Sequence, residues 1–165
     1  MTDLRSVQAP LKEHYRNSPD AALVTLRAEG RLGEGVSCSL STGRALIEAG
    51  LHPATGGSGT QACSGDMLLQ ALVACAGVTL AAVATSLKIP IQECALRAEG
   101  DLDFRGTLGV SRDAPVGFTE IRLEIALESS ASAEQLEKLL ELTERYCVVA
   151  QTLKAAVPLR AAYRA

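Results

Sequence analysis

The residues of this sequence that could do chemistry are its five cysteines, Cys38, Cys63, Cys75, Cys94 and Cys147. They contain neither a CxxC pair nor the Cys/His spacing of a zinc site, and their odd number argues against a disulfide framework. The pattern is compatible with one or two reactive thiols. We therefore predict a protein that holds no metal ion and no other cofactor.

Cys75 and Cys147 both fall on predicted buried faces of helices. A free buried cysteine is usually an inert core residue, and it reacts only as a thiolate. Burial raises the pKa of a thiol unless a cation or a hydrogen-bond donor offsets it. Because Cys75 lies about ten residues inside its helix, the dipole of the helix N-terminus does not reach it. If Cys75 reacts, we expect a basic side chain from elsewhere in the fold to approach it.

The other cysteines are weaker candidates. Cys63 directly precedes Ser64, the predicted N-cap of the same helix, where backbone N–H groups would favour a thiolate. Because Cys63 lies in a predicted polar loop, we expect an exposed thiol without a chemical role. Cys38 and Cys94 alternate with apolar residues in predicted strands, and we expect both in the core.

An uncharged run occupies residues 67–87 and is long enough to span a bilayer. It is rich in alanine and contains polar residues such as Gln70 and Thr79, and no basic loop sets an orientation. We predict a helix buried on nearly all sides in a soluble protein, against a sheet or a partner subunit's helix. An integral membrane protein is a further alternative, which solubility without detergent would exclude.

The rest of the chain predicts a polar arm at residues 1–19 and a single α+β domain at 20–165. The element order is βββ-α-ββ-α-β. Ser132 and Gln135 have the spacing of a helix capping box. The predicted strands are 21–30, 34–43, 44–50, 91–104, 119–129 and 157–163. The predicted helices are 67–87 and 131–147, and residues 148–156 continue or restart the second helix. Loops are predicted at 52–65 and 105–118.

Composition excludes some functional classes. The 165 residues carry a formal net charge of −3, with three Tyr, two Phe and no Trp, so a nucleic-acid-binding surface is not expected. The polar, charged N-terminal segment is not a secretory signal. We therefore predict a cytoplasmic protein that binds neither nucleic acid nor membrane.

Two segments resemble motifs of the OsmC/Ohr family. In GDMLLQALVACAGVTL an acidic residue opens a long helix that contains a cysteine, and ERYCVVAQTL places a second cysteine late in the next long helix. The resemblance covers roughly residues 20–160. It implies an intertwined homodimer, with long central helices buried beneath wrapped antiparallel sheets.

The resemblance also implies a thiol-dependent peroxidase of organic hydroperoxides. Cys75 would attack the peroxide as a thiolate and become a sulfenic acid, and Cys147 would condense with it to a disulfide that a dithiol reductant opens. Arg31, with Arg44 as the fallback, would stabilise the thiolate. Asp66 would orient that arginine, although nine residues of helix rotate by about 900° and place it opposite Cys75.

Simpler interpretations stay open for the helper residues. Arg31 and Arg44 would then be solvated turn arginines, and Asp66 a charge that complements the helix dipole. The family often has proline where this chain has Val148, and glutamate at the position of Asp66. The rival function is a non-catalytic dimer that binds a small apolar ligand, for which small residues leave room at Ala71, Ala74, Ala76 and Gly77.

Overall fold

The structure is a computed structural model that describes residues 17, 29–32, 37–41, 46–109, 111–155 and 157–164. The described strands are β1 Glu29–Leu32, β2 Ser37–Ser41, β3 Leu46–Gly50, β4 Ala62–Cys63, β5 Glu93–Leu102 and β6 Phe118–Glu128. The helices are α1 Ser64–Leu87, α2 Phe104–Thr107, α3 Ala133–Tyr146 and α4 Val148–Lys154. The predicted α+β class is confirmed. Apart from residue 17, the predicted arm at 1–19 lies outside the described residues.

The described residues divide into two compact units. One contains the described residues up to 69 together with those in 99–122, and the other contains 70–98 together with those from 123 onwards. In the first unit, the backbones of β1, β2, β3 and β4 form one sheet in chain order. The β1–β2 and β2–β3 pairs are antiparallel, whereas β4 pairs with β3 in parallel. The predicted strands at 34–43 and 44–50 are confirmed, and only residues 29 and 30 of the strand predicted at 21–30 are described.

Helix α1 has one buried stripe. Leu72, Ala76, Leu80 and Ala84 recur every four residues and are at most 3% exposed. The opposite face is open in the single chain, where Val78 is 73% exposed. By length and composition α1 could cross a membrane, and 22% of its most apolar 18-residue window is buried. Burial on nearly all sides therefore stays a prediction about an assembled protein.

A backbone motif ends α1. Lys88 adopts the left-handed conformation with φ 58°, and its N–H donates to the carbonyl of Thr85 at 3.3 Å. The N–H of Ile89 donates to the carbonyl of Ala84 at 2.9 Å, which completes a Schellman motif. Ile89 and Ala84 then join Leu80 and Leu139 in the buried core of the second unit. The end of α1 is thus fixed by backbone hydrogen bonds and by core packing.

Strands β5 and β6 form a two-stranded sheet. At one end the N–H of Gln92 donates to the carbonyl of Glu128 at 2.9 Å. At the other end the hydroxyl of Thr119 donates to the carbonyl of Asp101 at 3.1 Å. These pairings show that the two strands run in opposite directions, as the sequence predicts.

The predicted capping box at the start of α3 is confirmed. The Ser132 hydroxyl accepts from the N–H of Gln135 at 3.3 Å, and the Gln135 side chain accepts from the N–H of Ser132 at 3.0 Å. Along α3, Leu139 and Thr143 are buried. The helix ends at Tyr146, so the segment after Cys147 restarts as α4 rather than continuing α3.

Three short elements lie wholly or mostly in segments predicted to be loops, namely a 3-10 helix at Pro53–Thr55, β4 and α2. The two residues of β4 are too few to show an alternating pattern. The single turn of α2 is capped by the Asp103 carboxylate, which accepts from the N–H of Arg105 at 3.0 Å. Gly106 is required inside it, because an added Cβ would lie 2.3 Å from the carbonyl oxygen of Pro115.

The predicted final strand at 157–163 is wrong for the described chain. Residues 157–164 form neither strand nor helix, and Leu159 and Tyr163 are 94% and 92% exposed. A strand requires a neighbour that accepts and donates its backbone hydrogen bonds. The alternating pattern of this segment is therefore not matched by a paired strand in the part of the chain that the structure describes.

Candidate functional site: a pair of cysteine sulfurs

The structure brings Cys75 and Cys147 together within the second unit. Cys75 lies in α1 and is half-buried. Cys147 lies between α3 and α4 and is buried, with 1% of its surface exposed. The two thiols lie near enough for each to shift the pKa of the other. Both are free thiols. The sequence suggested this pair by its resemblance to a family, and the structure places the two thiols near each other.

Cys147 holds this position because the chain breaks there. Its φ of −71° and ψ of 107° are extended, and its N–H still donates to the carbonyl of Thr143 at 3.0 Å. The first hydrogen bond within α4 runs from Gln151 to the Cys147 carbonyl at 2.9 Å. The N–H groups of Val148 and Val149 therefore precede the hydrogen-bond ladder of α4 and are available to other acceptors.

Polar contacts of Glu144 connect the two helices across the break. The side-chain amide of Gln151 donates to the Glu144 carbonyl at 2.8 Å, and the Lys154 ammonium pairs with the Glu144 carboxylate. The hydrogen bond from the Gln151 side chain satisfies one of the backbone carbonyls that have no helical partner at the end of α3. Val148, at the first position of α4, keeps its own N–H as a donor.

The Cys75 thiol has a lowered pKa. Burial raises this pKa, but polar groups near the sulfur lower it by more: the N–H of Val149, the thiol of Cys147, the N–H of Val148 and the hydroxyl of Thr79. Each donor stabilises a sulfur that carries negative charge. The expected basic side chain is not among these groups, and uncharged donors of the described residues supply the stabilisation instead.

The Cys147 thiol has a raised pKa. Burial is the main cause, and the N–H of Ala150 acts in the opposite direction. The nearby sulfur of Cys75 raises the pKa further. The pair is therefore asymmetric, with Cys75 favoured as the thiolate and Cys147 as the thiol.

The helper residues named from the sequence are not brought to this pair by the described contacts. Asp66 is exposed in the first turn of α1, nine residues before Cys75, which places it on the opposite side of the helix. The backbone of Arg31 lies in β1 opposite Ser39, and its side chain lies outside the described residues. Arg44 also lies outside them.

Two of the other cysteines, Cys94 and Cys63, differ from expectation. Cys94 is exposed on β5, so its assignment to the core is wrong; it lies near the start of the strand, where the burial pattern is open. Cys63 is half-buried in β4, directly before α1. Cys38 lies in β2, and its side chain is outside the described residues.

The sequence interpretation missed Thr79, Val148 and Val149 as groups that lower the pKa of Cys75. Thr79 had a visible signal, because a residue four positions after Cys75 lies on the same helix face. The two N–H donors had none, because they depend on a helix break that a Cys-Val-Val sequence does not indicate.

Comparisons with known proteins agree with this fold. The family model described as OsmC-like protein matches residues 57–161. No match was found among curated proteins. The structure of an OsmC-like protein from Mycoplasma pneumoniae aligns with a TM-score of 0.68 and 19% identity, over 81% of this chain and 89% of that chain.

Two further solved structures carry names that refer to peroxide. An organic hydroperoxide resistance protein from Elizabethkingia anophelis aligns with a TM-score of 0.65 and 18% identity, over 82% of this chain and 91% of that one. The organic hydroperoxide resistance protein OhrB of Bacillus subtilis gives 0.54 and 19%, over 82% and 94%. At such identities these likenesses show the fold. Because the family model matches more than half of the sequence, and the fold agrees, this chain belongs to the OsmC-like family.

Proposed function

We propose that the protein is a thiol-dependent peroxidase of organic hydroperoxides, with Cys75 as the attacking residue and Cys147 as the resolving residue. The observation that carries this proposal is the proximity of two free thiols whose pKa values are shifted in opposite directions. A peroxidase cycle needs this asymmetry, because the first sulfur attacks as a thiolate and the second remains a thiol until it is needed. The names of the structural neighbours suggest a role in peroxide resistance and support the same chemistry.

The reaction balances with the two sulfurs and one external dithiol. The Cys75 thiolate attacks one peroxide oxygen, the O–O bond breaks, and the alkoxide takes a proton and leaves as an alcohol. The resulting sulfenic acid is attacked by the sulfur of Cys147, which forms a disulfide and releases water. The dithiol then reduces the disulfide by two thiol–disulfide exchanges and is itself oxidised.

Arg31 and Asp66 are the helper residues of this proposal. The guanidinium of Arg31, or of Arg44 in its place, would stabilise negative charge at the reacting atoms, and Asp66 would orient it. Asp66 lies in the first turn of α1, and the backbone of Arg31 lies in β1. The roles of these residues rest on the family resemblance.

A homodimer is the proposed working form, and the open face of α1 supports it. Val78 is 73% exposed in the part of α1 that carries no charged residue, namely residues 67–87. A large apolar side chain in such a stretch is usually covered. We expect sedimentation of the purified protein without detergent to give twice the mass of one chain. A monomer at micromolar concentration would contradict the dimer, and insolubility without detergent would favour the membrane alternative.

The cytoplasm is the proposed compartment. In this proposal α1 is the core helix of an assembled protein rather than a membrane span. A reducing cytoplasm also suits a cycle that begins from two free thiols.

Turnover with an organic hydroperoxide tests the proposed activity. We expect the purified protein to consume cumene hydroperoxide continuously in the presence of dithiothreitol. Without a reductant, one equivalent of peroxide should produce a Cys75–Cys147 disulfide that peptide mass spectrometry detects. The matched control is Cys94→Ser, which removes an exposed cysteine of β5 and should leave both results unchanged.

Two outcomes would reject the peroxidase. One is a rate equal to that of peroxide and dithiol alone. The other is a pair of unreacted thiols in a protein that copurifies with a small apolar molecule, which would favour the ligand-binding dimer instead.

A further inference from the structure

The C-terminal segment 157–164 carries apolar side chains that nothing in the described chain covers. It forms neither helix nor strand, and Leu159 and Tyr163 are almost fully exposed. Val157 is exposed as well. Several large apolar side chains exposed in one short segment usually mark a surface that another molecule covers. The segment is therefore a candidate for an interface.

Strand β6 has an edge suited to this segment. It pairs with β5 in a two-stranded sheet, so its other edge has no neighbouring strand among the described residues. An unpaired edge presents backbone N–H and C=O groups to an incoming strand. On the inner face of β6, Ile125 and Leu127 pack against the buried core and remain partly exposed. A further strand at this edge would pair with the backbone and cover these side chains.

The apolar residues of the two segments alternate with the same period. An extended chain directs alternate side chains to opposite faces. In the C-terminal segment, one face consists of Val157, Leu159, Ala161 and Tyr163. In β6, the half-buried face includes Ile121, Leu123, Ile125 and Leu127. Side by side, the two faces form one continuous apolar surface.

Pro158 is compatible with an outermost strand. Proline has no N–H, and it occurs in sheets where this position faces away from the neighbouring strand. In an extended chain the backbone groups of alternate residues point to opposite edges. If the backbone of Leu159 pairs with β6, that of Pro158 faces solvent. The missing donor then removes no hydrogen bond from the sheet.

Four charged residues also match between the two segments. Arg160 and Arg164 are four residues apart, as are Glu124 and Glu128. All four side chains are exposed, and within the described residues none of them forms an ion pair. Because the spacing is equal, each arginine meets a glutamate whether the added strand runs parallel or antiparallel to β6. Opposite charges facing each other on neighbouring strands stabilise the pairing.

The single chain does not join these two segments. Residues 123–128 of β6 and the segment 157–164 belong to the same compact unit. In the described part of that unit, the edge of β6 stays without a strand while Leu159 and Tyr163 stay exposed. The proposed homodimer supplies an identical segment. A two-fold axis makes the exchange reciprocal, so each subunit gives one strand and receives one.

We propose that residues 157–164 of one subunit add as an edge strand to β6 of the other, with Arg160 and Arg164 facing the partner's Glu124 and Glu128. This inference rests on the homodimer of the proposed function and deepens it, because it names the segment that each subunit exchanges. It also accounts for the strand pattern at 157–163, which has no partner in the described chain.

Reversal of the charges tests this interface. Arg160→Glu with Arg164→Glu places like charges opposite each other, and so does Glu124→Arg with Glu128→Arg. Each double variant is expected to raise the dissociation constant of the dimer by about tenfold or more. All four changes together restore opposite charges and should return the constant to within about threefold of the wild type. Sedimentation velocity over a series of protein concentrations measures the constant.

The matched control for charge reversal is Glu134→Arg with Glu137→Arg. Both glutamates are exposed on α3, and their reversal changes the net charge as much as the reversal of Glu124 and Glu128. We expect the dissociation constant of this control to equal that of the wild type. Far-ultraviolet circular dichroism verifies that each variant is folded.

Disulfide crosslinking identifies the chain that supplies the strand. In a Cys94→Ser background, Arg164→Cys is combined with Glu124→Cys for an antiparallel strand and with Glu128→Cys for a parallel one. Facing residues of neighbouring strands are close enough for a disulfide. Mild oxidation of one of these two proteins should give a band at twice the chain mass in a gel without reductant. Arg164→Cys with Glu137→Cys is the control and should give no such band.

The outcomes separate the exchanged strand from the peroxidase, because neither experiment uses peroxide. The inference is overturned if the charge-reversed dimers are as tight as the wild type, if the fourfold variant shows no recovery, or if the crosslink forms within one chain or not at all. A crosslinked dimer that consumes no hydroperoxide would support the exchange and reject the peroxidase. Turnover by a protein in which neither pair crosslinks would support the peroxidase and reject the exchange.

Discussion

Replacing Cys75 with serine is expected to lower dithiol-dependent hydroperoxide consumption by roughly three orders of magnitude or more, because the covalent step loses its nucleophile. Serine is close in size to cysteine and keeps a small polar side chain at this position. The variant should therefore remain folded while it loses activity. The loss of cumene hydroperoxide at pH 7, followed with excess dithiothreitol, measures the effect.

Cys147→Ser is the informative companion to Cys75→Ser. With Cys75 intact, the protein should still react with one equivalent of peroxide, and the sulfenic acid should persist long enough to be labelled by dimedone. Cys75→Ser should give no such label. If Cys75→Ser kept more than about a tenth of the wild-type rate, the nucleophile would have to be sought elsewhere.

The Leu139→Ala variant is expected to lose about 3 kcal/mol of unfolding free energy, because it leaves a cavity in the core of the second unit. Leu139 is 0% exposed and lies in one cluster with Leu80, Ala84 and Ile89. Urea denaturation at a fixed protein concentration measures the loss, since a dimer would make stability depend on concentration.

Leu140→Ala is the matched control for the core variant. It makes the same substitution at the next position of α3, where the side chain is 39% exposed. We expect a loss below about 1 kcal/mol. Equal losses in the two variants would contradict the burial assigned to this face of α3.

Elements with strong local signals could be predicted from the sequence. The capping box of Ser132 and Gln135 fixes the start of α3 through contacts within four residues of chain. Strand β6 shows clean alternation, and α1 has the length and composition of a core helix. In each case the information lies within one element, so neighbouring residues are sufficient to read it.

The site was predictable only in part. The pairing of Cys75 with Cys147 followed from a family resemblance, because no local rule brings together residues so far apart. The N–H groups near Cys75 belong to the residues that follow the break at Cys147. A proline at position 148 would have indicated such a break in the sequence, and Val148 does not. We expected a basic side chain near Cys75 because charged residues can be recognised in a sequence. Backbone N–H groups without a helical partner cannot be recognised there.

The wrong predictions concern segments whose alternating pattern gives a buried strand only if another part of the protein pairs with it or covers it. The segment 157–163 alternates like a strand, but no strand is formed there in the described chain. Cys94 alternates with apolar residues too, yet it is exposed on β5. Alternation gives the side chains of one face a common direction, and it cannot say whether anything covers that face.

The proximity of Cys75 and Cys147 has a consequence for the folding of the chain. The polypeptide between them includes β5, β6 and α3, so a bond between the sulfurs would enclose these elements in one covalent loop. Such a loop restricts the unfolded chain and thereby favours the native state. In the proposed cycle, oxidation by a peroxide would raise the free energy of unfolding, and reduction of the disulfide would lower it again. The stability of the fold would therefore follow the redox state of the two cysteines.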